Sequence, residues 1–319
     1  MKNTLEQYHT VTISAAQNGK RLDQALAESL TLYSRSSIKK WIDNGKTQVN
    51  GQKTKPNFKV FEGDIVALTA IMLEDETIEP QPVRFEVTEV SQNLIIIDKP
   101  AGLVVHPAPG NRDKTLVNGL ISRFPELSIL PRAGLIHRID KNTSGLLIVA
   151  RDPATYQKMV RCMQKKEITR NYLGIVSGSI VAGDTIEEPI GRNRIQRTKM
   201  QVSPAGKKAI THFRVKKKFR DHTLIDIRLE TGRTHQIRVH MAWKGHPLVG
   251  DKTYGWRPNV PKAANEELKQ CIENFPRQAL HAYKLSFNHP ETSKSLEFRS
   301  EIPHDIEMLL CHLEADLIQ

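Results

Sequence analysis

Residues 146–150, "LLIVA", set the tightest limit on how this chain can fold. An unbroken aliphatic run of that length, entered through the polar turn "KNTSG" and closed by Arg151, reads as a buried strand. The preceding "GLIHRID" puts Asp140 at the mouth of that strand, with His137 and Arg138 read as a cationic pair behind it. A carboxylate beside an apolar sheet keeps its charge only where something compensates for lost hydration. The bland alternative is a solvated turn residue. What could compensate Asp140 is therefore the first thing to seek along the chain.

From Phe85 onward, strand patterns alternate with helical ones. "NLIIIDKP" reads as a buried strand stopped by Pro100, and "KTLVNGLISRF" as a helix with Leu116, Val117, Leu120, Ile121 and Phe124 inward. "DPATYQKMVRCMQKK" opens with an Asp152 cap and Pro153 in the first turn, and carries Tyr156, Met159, Val160 and Met163 at core spacing. "TLIDIRLETGRTHQIRVHMAWKG" predicts a strand to Leu229, a turn at Thr231 and Gly232, and a helix ending near Gly245. No βαβ repeat runs through these elements, so the expected class is α+β, a mostly antiparallel mixed sheet flanked by helices over residues 85–319. Residues 255–277 look like a surface insertion.

The front of the chain differs. Residues 20–59 hold nine Lys or Arg against three acids. "RLDQALAESL" puts Leu22, Ala25, Leu26 and Leu30 on one helical face. In "SRSSIKKWIDNG", Ser34 is a plausible cap, Ile38, Trp41 and Ile42 form the apolar stripe, and Arg35, Lys39 and Lys40 fall on the exposed side. A hairpin turn at Asn50 and Gly51 and a strand in "VFEGDIVALT" follow. We read residues 1–69 as a small domain with a basic outer face. Residues 70–84 read as a linker, because residues 70–82 hold four acids, two prolines and no basic residue. Across 319 residues, 47 Lys and Arg against 35 Asp and Glu leave a net charge of +12, which favours a polyanionic partner such as nucleic acid.

Much is excluded. Neither GxGxxG nor GxxxxGK[ST] occurs, so no phosphate-cradling loop is expected. No HExxH occurs, and His235 and His240 are five apart, which is wrong for a zinc pair on one helical face. Ser144 has no obvious base and no GxSxG around it. Cys162, Cys271 and Cys311 are few and scattered, which suits a reducing compartment. With no signal-like start and no apolar run near 18 residues, a soluble cytoplasmic protein is expected, with no membrane partner. The chemistry left over is a carboxylate and its cations. Arg138 stands two residues from Asp140, and Arg238, on a helix whose Ile237 and Met241 face inward, needs an anion for which Asp140 is the natural candidate.

"HRID", "TSGLLIVA", "ITRNY", "TGRTHQIRVH", "HPLVGD" and "RQALHA", in that order, resemble the RluA family of RNA pseudouridine synthases across residues 85–319. The front fifty residues resemble an S4-like RNA-binding domain. Together they are similar to those family members that modify the large ribosomal subunit. The resemblance implies that Asp140 is the catalytic aspartate and Arg238 pairs with it. It implies that Tyr172 lies against the flipped uracil and that Arg138 enters the RNA stack. The basic face with Arg35, Lys39 and Lys40 would bind RNA, and the basic segments "RNRIQRTK" (Arg192, Arg194, Arg197, Lys199) and "VKKKFR" would flank the catalytic cleft and grip an RNA stem on both sides. It further implies isomerisation of uridine in 23S rRNA or a large-subunit precursor, in the loop of helix 69, by a monomer with no metal, nucleotide or other cofactor. Two other readings stay open: a glycosidase-like hydrolase using Glu230 as second carboxylate, and an RNA-binding assembly protein without catalysis.

Overall fold

The computed structural model describes residues 4–30, 33, 35–73, 78–108 and 110–318. The Ser34 cap and the acidic residues 74–76 lie outside them. The front unit comprises β1 (Thr4–Thr12), α1 (Leu22–Ser29), α2 (Arg35–Asp43), β2 (Thr47–Val49), β3 (Gln52–Lys53) and β4 (Ile65–Leu73). Its sheet runs β1-β4-β2-β3. The expected faces meet in a single core: Leu22, Ala25 and Leu26 of α1 and Ile38, Trp41 and Ile42 of α2 pack with Val66 and Leu68 of β4. Residues 70–73 belong to this sheet, since β4 pairs with β1 as far as Leu73, so the linker begins later than residue 70. Its second half is not free either. Asn118 Nδ2 donates to Glu79 O at 2.9 Å, and Ile78 packs against the main core.

The second unit contains β5 (Glu86–Val90), β6 (Leu94–Lys99), α3 (Leu116–Arg123), β7 (Ser144–Ala150), α4 (Pro153–Gln164), β8 (Thr169–Ser177) and β9 (Asp184–Ile186). After these come β10 (Ile190–Arg192), β11 (Met200–Val202), β12 (Thr211–Lys218), β13 (His222–Leu229) and α5 (Gln236–Trp243). The chain ends with α6 (Glu266–Glu273), β14 (Leu280–Asn288), β15 (Ser295–Arg299) and α7 (His304–Asp316). The large sheet runs β5-β6-β7-β14-β8-β13-β12-β9, with β15 beside β14. Every pairing is antiparallel except β7 with β14. The α+β class and mixed sheet are as expected.

The aliphatic run at 146–150 is explained by cover on both faces, which removes the polar alternation of a half-exposed strand. Leu147 and Val149 join α3 in one core, while Leu146, Ile148 and Ala150 join Tyr156 and Met159 of α4 in another. Gly145 lets β7 meet β14: its φ is +116° and an added Cβ would stand 2.2 Å from Ala282 O. Residues 255–277 are not a surface insertion. Trp256, Leu268, Ile272 and Phe275 are buried with Ile306, Leu309 and Leu313 of α7, forming a small core of their own. Among the described residues no helix is long and apolar enough to cross a membrane.

Candidate active site

The Asp140 turn leads directly into β7, the strand that pairs in parallel with β14 at Ser144 and Gly145. Residues 135–140 run beside β7, Ile136 N donating to Ile148 O at 3.0 Å, and the chain reverses where Thr143 N donates to Asp140 O at 3.1 Å. Outside groups pin that turn. Gly102 N and Lys99 Nζ both reach Lys141 O at 2.9 Å. Arg277 Nη1 donates to Asn142 O at 3.0 Å, and Gln278 Nε2 to Thr143 Oγ1 at 3.1 Å. Lys99 is wholly buried and satisfies three carbonyls, those of Pro100, Leu103 and Lys141, the number an ammonium can serve; burial draws its pKa down to about 7.

Opposite Asp140, the "TGRTHQIR" segment ends a strand and starts a helix. Gln236 locks its turn, accepting from Thr231 Oγ1 at 2.8 Å and Arg233 N at 3.0 Å. His235 caps α5 in the left-handed conformation, φ 56° and ψ 23°. One turn into α5, Arg238 donates through Nη1 to Asp140 Oδ2 at 3.2 Å. Its principal partner is a different acid: Nε and Nη2 donate to Asp251 Oδ2 and Oδ1 at 2.7 and 2.8 Å, with the two side chains only 8% and 1% exposed. Burial works against the Arg238 charge, but Asp251 and then Asp140 outweigh it and hold its pKa above the usual arginine range. The guanidinium also sits 4.9 Å over the Tyr254 ring. Tyr254 Oη lies 2.6 Å from His235 Nδ1 and accepts from Met200 N at 3.0 Å. The sequence reading took Asp140 as the arginine's natural anion; the closer, bidentate partner is Asp251, leaving Asp140 with one longer bond. The signal available was "HPLVGD", where Gly250 (φ 77°) admits Arg277 O to 1.9 Å of a would-be Cβ.

These groups wall a cavity of about 580 Å³ that Asp140, Tyr172, Arg138 and Arg238 line together with His137, Lys166, Arg170 and Glu230. Four predicted site residues thus meet. Arg35, Lys39 and Lys40 belong to α2 of the front unit and do not line it; all three are exposed, and Arg35 bonds the buried Asp23 at 2.8 Å. Tyr172 is 4% exposed, and burial raises its pKa, with Arg170 opposing and Asp140 adding to the rise. Glu230 bonds Lys166 at 2.6 Å and His212 at 2.7 Å, which hold its pKa down at about 2.

Three readings need correcting. His137 is no cation: it is buried, neither ring nitrogen has a partner among the described residues, and burial depresses its pKa to about 3. Ser144 does meet a base, with Oγ 3.0 Å from His281 Nδ1, while Ser300 bonds both His281 and Asp98. Ser144 and His281 are nevertheless buried outside the cavity lining, so this chain of bonds secures the β7–β14 seam. Third, "VKKKFR" does not flank the cleft. β12 meets β13 at Thr211 and Leu229 on the cleft side and at Lys218 and Thr223 on the other, about 20 Å away at strand rise. Lys217 and Arg220 there pair with Glu314 and Asp316 of α7. "RNRIQRTK" does approach the site: it forms the β10–β11 hairpin, which the Met200 bond ties to Tyr254, and Arg192, Arg194 and Arg197 are exposed.

Known proteins resemble this chain over most of its length. The family model described as RNA pseudouridylate synthase matches residues 93–243, and the S4 domain model matches residues 20–66. The chain is 47% identical over 303 residues to the ribosomal large subunit pseudouridine synthase D of Vibrio cholerae, covering 94% of each. It is 46% identical over 308 residues to the protein of that name from Escherichia coli, covering 96% of this chain and 94% of the other. The solved human RNA pseudouridylate synthase domain containing 4 shares the fold with a TM-score of 0.57 at 21% identity, over 72% of this chain and 93% of its own. At 47% and 46% identity to the first two relatives, over nearly the whole length of both chains, and with an S4 domain in front of a pseudouridylate synthase match, the chain belongs to the RNA pseudouridylate synthase family.

Proposed function

We propose that this chain isomerises uridines of large-subunit ribosomal RNA to pseudouridine in the cleft around Asp140, with no cofactor or energy source. The observation that carries the reading is the asymmetry of the Asp140 carboxylate. Oδ2 is held by Arg238 at 3.2 Å, whereas Oδ1 has no hydrogen-bond partner among the described residues, and His235 Nε2 stands 3.9 Å from it. A carboxylate held by one oxygen and open at the other suits either route to the product: attack on C1′, or removal of the C2′ proton so that a glycal forms. In both, the N1–C1′ bond breaks, the uracil turns and C5 bonds to C1′, displacing the Asp140 ester in the first route and returning the C2′ proton in the second; the C5 proton then leaves and N1 gains one. Both routes start from the carboxylate form of Asp140, and Arg238, clamped by Asp251, holds one of its oxygens in place.

The other groups take roles that their places support. Tyr172 offers a ring face against which the uracil stacks, an interaction worth about 1–3 kcal/mol per base. Arg138, exposed beside the cleft, can fill the gap left by the flipped base. The front unit, with Arg35, Lys39 and Lys40 exposed, grips RNA through phosphates, which places the enzyme without reading sequence. The relatives are named for the large ribosomal subunit; 23S rRNA or a large-subunit precursor is the proposed substrate, and a cytoplasmic monomer the proposed form of the enzyme. Loops are favoured because their bases cost less to extrude, and the loop of helix 69 is the proposed target.

The hydrolase reading requires a second carboxylate that is protonated to act as acid, and Glu230, doubly bonded and held near a pKa of about 2, does not meet that need. Mapping pseudouridines in rRNA from cells with and without the protein tests the proposal. Loss confined to uridines of that loop is the expected result. An unchanged map, or loss from a tRNA instead, would overturn the target.

A further inference from the structure

Three arginines of the described chain are more than nine-tenths buried: Arg170, Arg238 and Arg277, at 7%, 7% and 6% exposure. Two of them are clamped by a carboxylate through two bonds, Arg238 by Asp251 and Arg277 by Asp305. The Arg170 side chain has no hydrogen-bond or ion-pair partner among the described residues, and its Nε is enclosed without one. It sits on β8 two residues before Tyr172, so both side chains leave the same face of the strand, and both line the cleft. Neither acid of the cleft bonds Arg170: Asp140 reaches Arg238 through Oδ2, and Glu230 is bonded to Lys166 and His212. His137, also in the lining, is unpartnered at both nitrogens and supplies no countercharge.

A neighbouring loop comes close to this guanidinium. Gly232, in the turn before α5, has no positive φ to demand glycine, yet an added Cβ there would come within 3.0 Å of Arg170 Nη1. A buried cation without an anion is costly to keep, and the cost is recovered when an anion arrives. Uracil and ribose are neutral, so the anion that RNA can offer is a phosphodiester, and the planar fork of arginine matches two of its oxygens.

We infer that Arg170 forms an anion subsite in the base of the cleft and binds a backbone phosphate flanking the nucleotide whose base lies on Tyr172. This rests on the RNA-modifying reading of the cleft. Exposed cations of the lining such as Arg138 and Arg233 attract the backbone, whereas Arg170, being desolvated, fixes one phosphate in register.

The test uses the full chain and a stem-loop RNA in which each phosphate flanking the target uridine is replaced in turn by a neutral methylphosphonate. With wild-type protein, one position should raise KM about tenfold or more and leave kcat nearly unchanged. Arg170→Met should show that same loss on unsubstituted RNA, no further loss at that position, and a salt slope shallower by about 0.7–0.9. Its melting temperature should match or exceed that of wild type, because an uncompensated charge has gone. Arg170→Lys, which keeps the charge but not the fork, should be intermediate. Equal methylphosphonate sensitivity in wild type and Arg170→Met, or no sensitive position in wild type, would overturn the subsite. Absence of pseudouridine from unsubstituted RNA with wild-type protein would instead overturn the functional reading, and the subsite with it.

Discussion

Replacing Asp251 by asparagine probes the clamp on which the cleft depends. The amide keeps the shape of the acid but not its charge, and one of the two bonds now at 2.7 and 2.8 Å would set N–H against N–H. Breaking a buried pair by removing one partner costs about 3–5 kcal/mol. Here Asp140, already 3.2 Å from Arg238, remains as a second anion, so the lower end, about 3 kcal/mol, is expected. At ~2–4 °C per kcal/mol for a domain of this size, Asp251→Asn should melt about 6–12 °C lower than wild type. Activity should fall further than stability explains. Arg238, freed on one side, would turn its fork onto Asp140 and occupy the open oxygen, so single-turnover pseudouridine formation should drop by about 100-fold or more, roughly 2.7 kcal/mol in the barrier. Arg238→Met with Asp251→Leu should restore much of the stability by apolar packing and none of the rate. A wild-type melting temperature and rate for Asp251→Asn would refute the reasoning.

Glu230→Gln should leave pseudouridine formation within about twofold, because its carboxylate is bonded to Lys166 and His212 and has no part in the chemistry; a rate loss near that of an Asp140 variant would revive the two-carboxylate reading. Acid should destabilise the fold steeply. His137 is depressed to about 3, and His106, His222 and His281 to about 4, while the unfolded chain protonates them near 6.5. The unfolded state therefore binds more protons below about pH 6.5, and each group removes up to about 1.4 kcal/mol per pH unit until its folded pKa is reached. Melting curves from pH 7 to pH 5 should show that loss, and a flat profile would contradict it. Neutralising Lys39, Lys55 and Lys59 to glutamine should weaken rRNA binding and flatten its salt dependence with kcat retained, as measured by filter binding and turnover; an unchanged slope would remove the front unit from RNA contact.

Local order was readable wherever a single element decides it. The Asp152 cap, Pro153 and the stripe of α4 were evident from spacing, and Asp152 Oδ1 does accept from Thr155 N at 2.8 Å. The strand at 146–150 was evident from its unbroken apolar run, but what covers its two faces was not. Where long-range contacts decide, the reading ran short. His137 reads as a cation until the chain beside β7 buries it. Ser144 finds its base 137 residues away, because β14 lies parallel to β7. Arg238 does reach Asp140, yet Asp251, which follows the turn at Gly250, takes the shorter bonds. Arg170 carries no sequence signal of being unpaired; that emerges only when every acid of the cleft is matched to its partner.

The most direct test is to give purified wild-type protein and its Asp140→Asn variant a 23S rRNA transcript whose uridines carry tritium at C5, and to count label released to water. Pseudouridine formation detaches that hydrogen, whereas binding does not. Wild type should release label in step with pseudouridine found in the product, and Asp140→Asn should bind the transcript with similar affinity and release none, since an amide is neither nucleophile nor base. Release by Asp140→Asn at an appreciable fraction of the wild-type rate would contradict the assignment of the chemistry to this carboxylate.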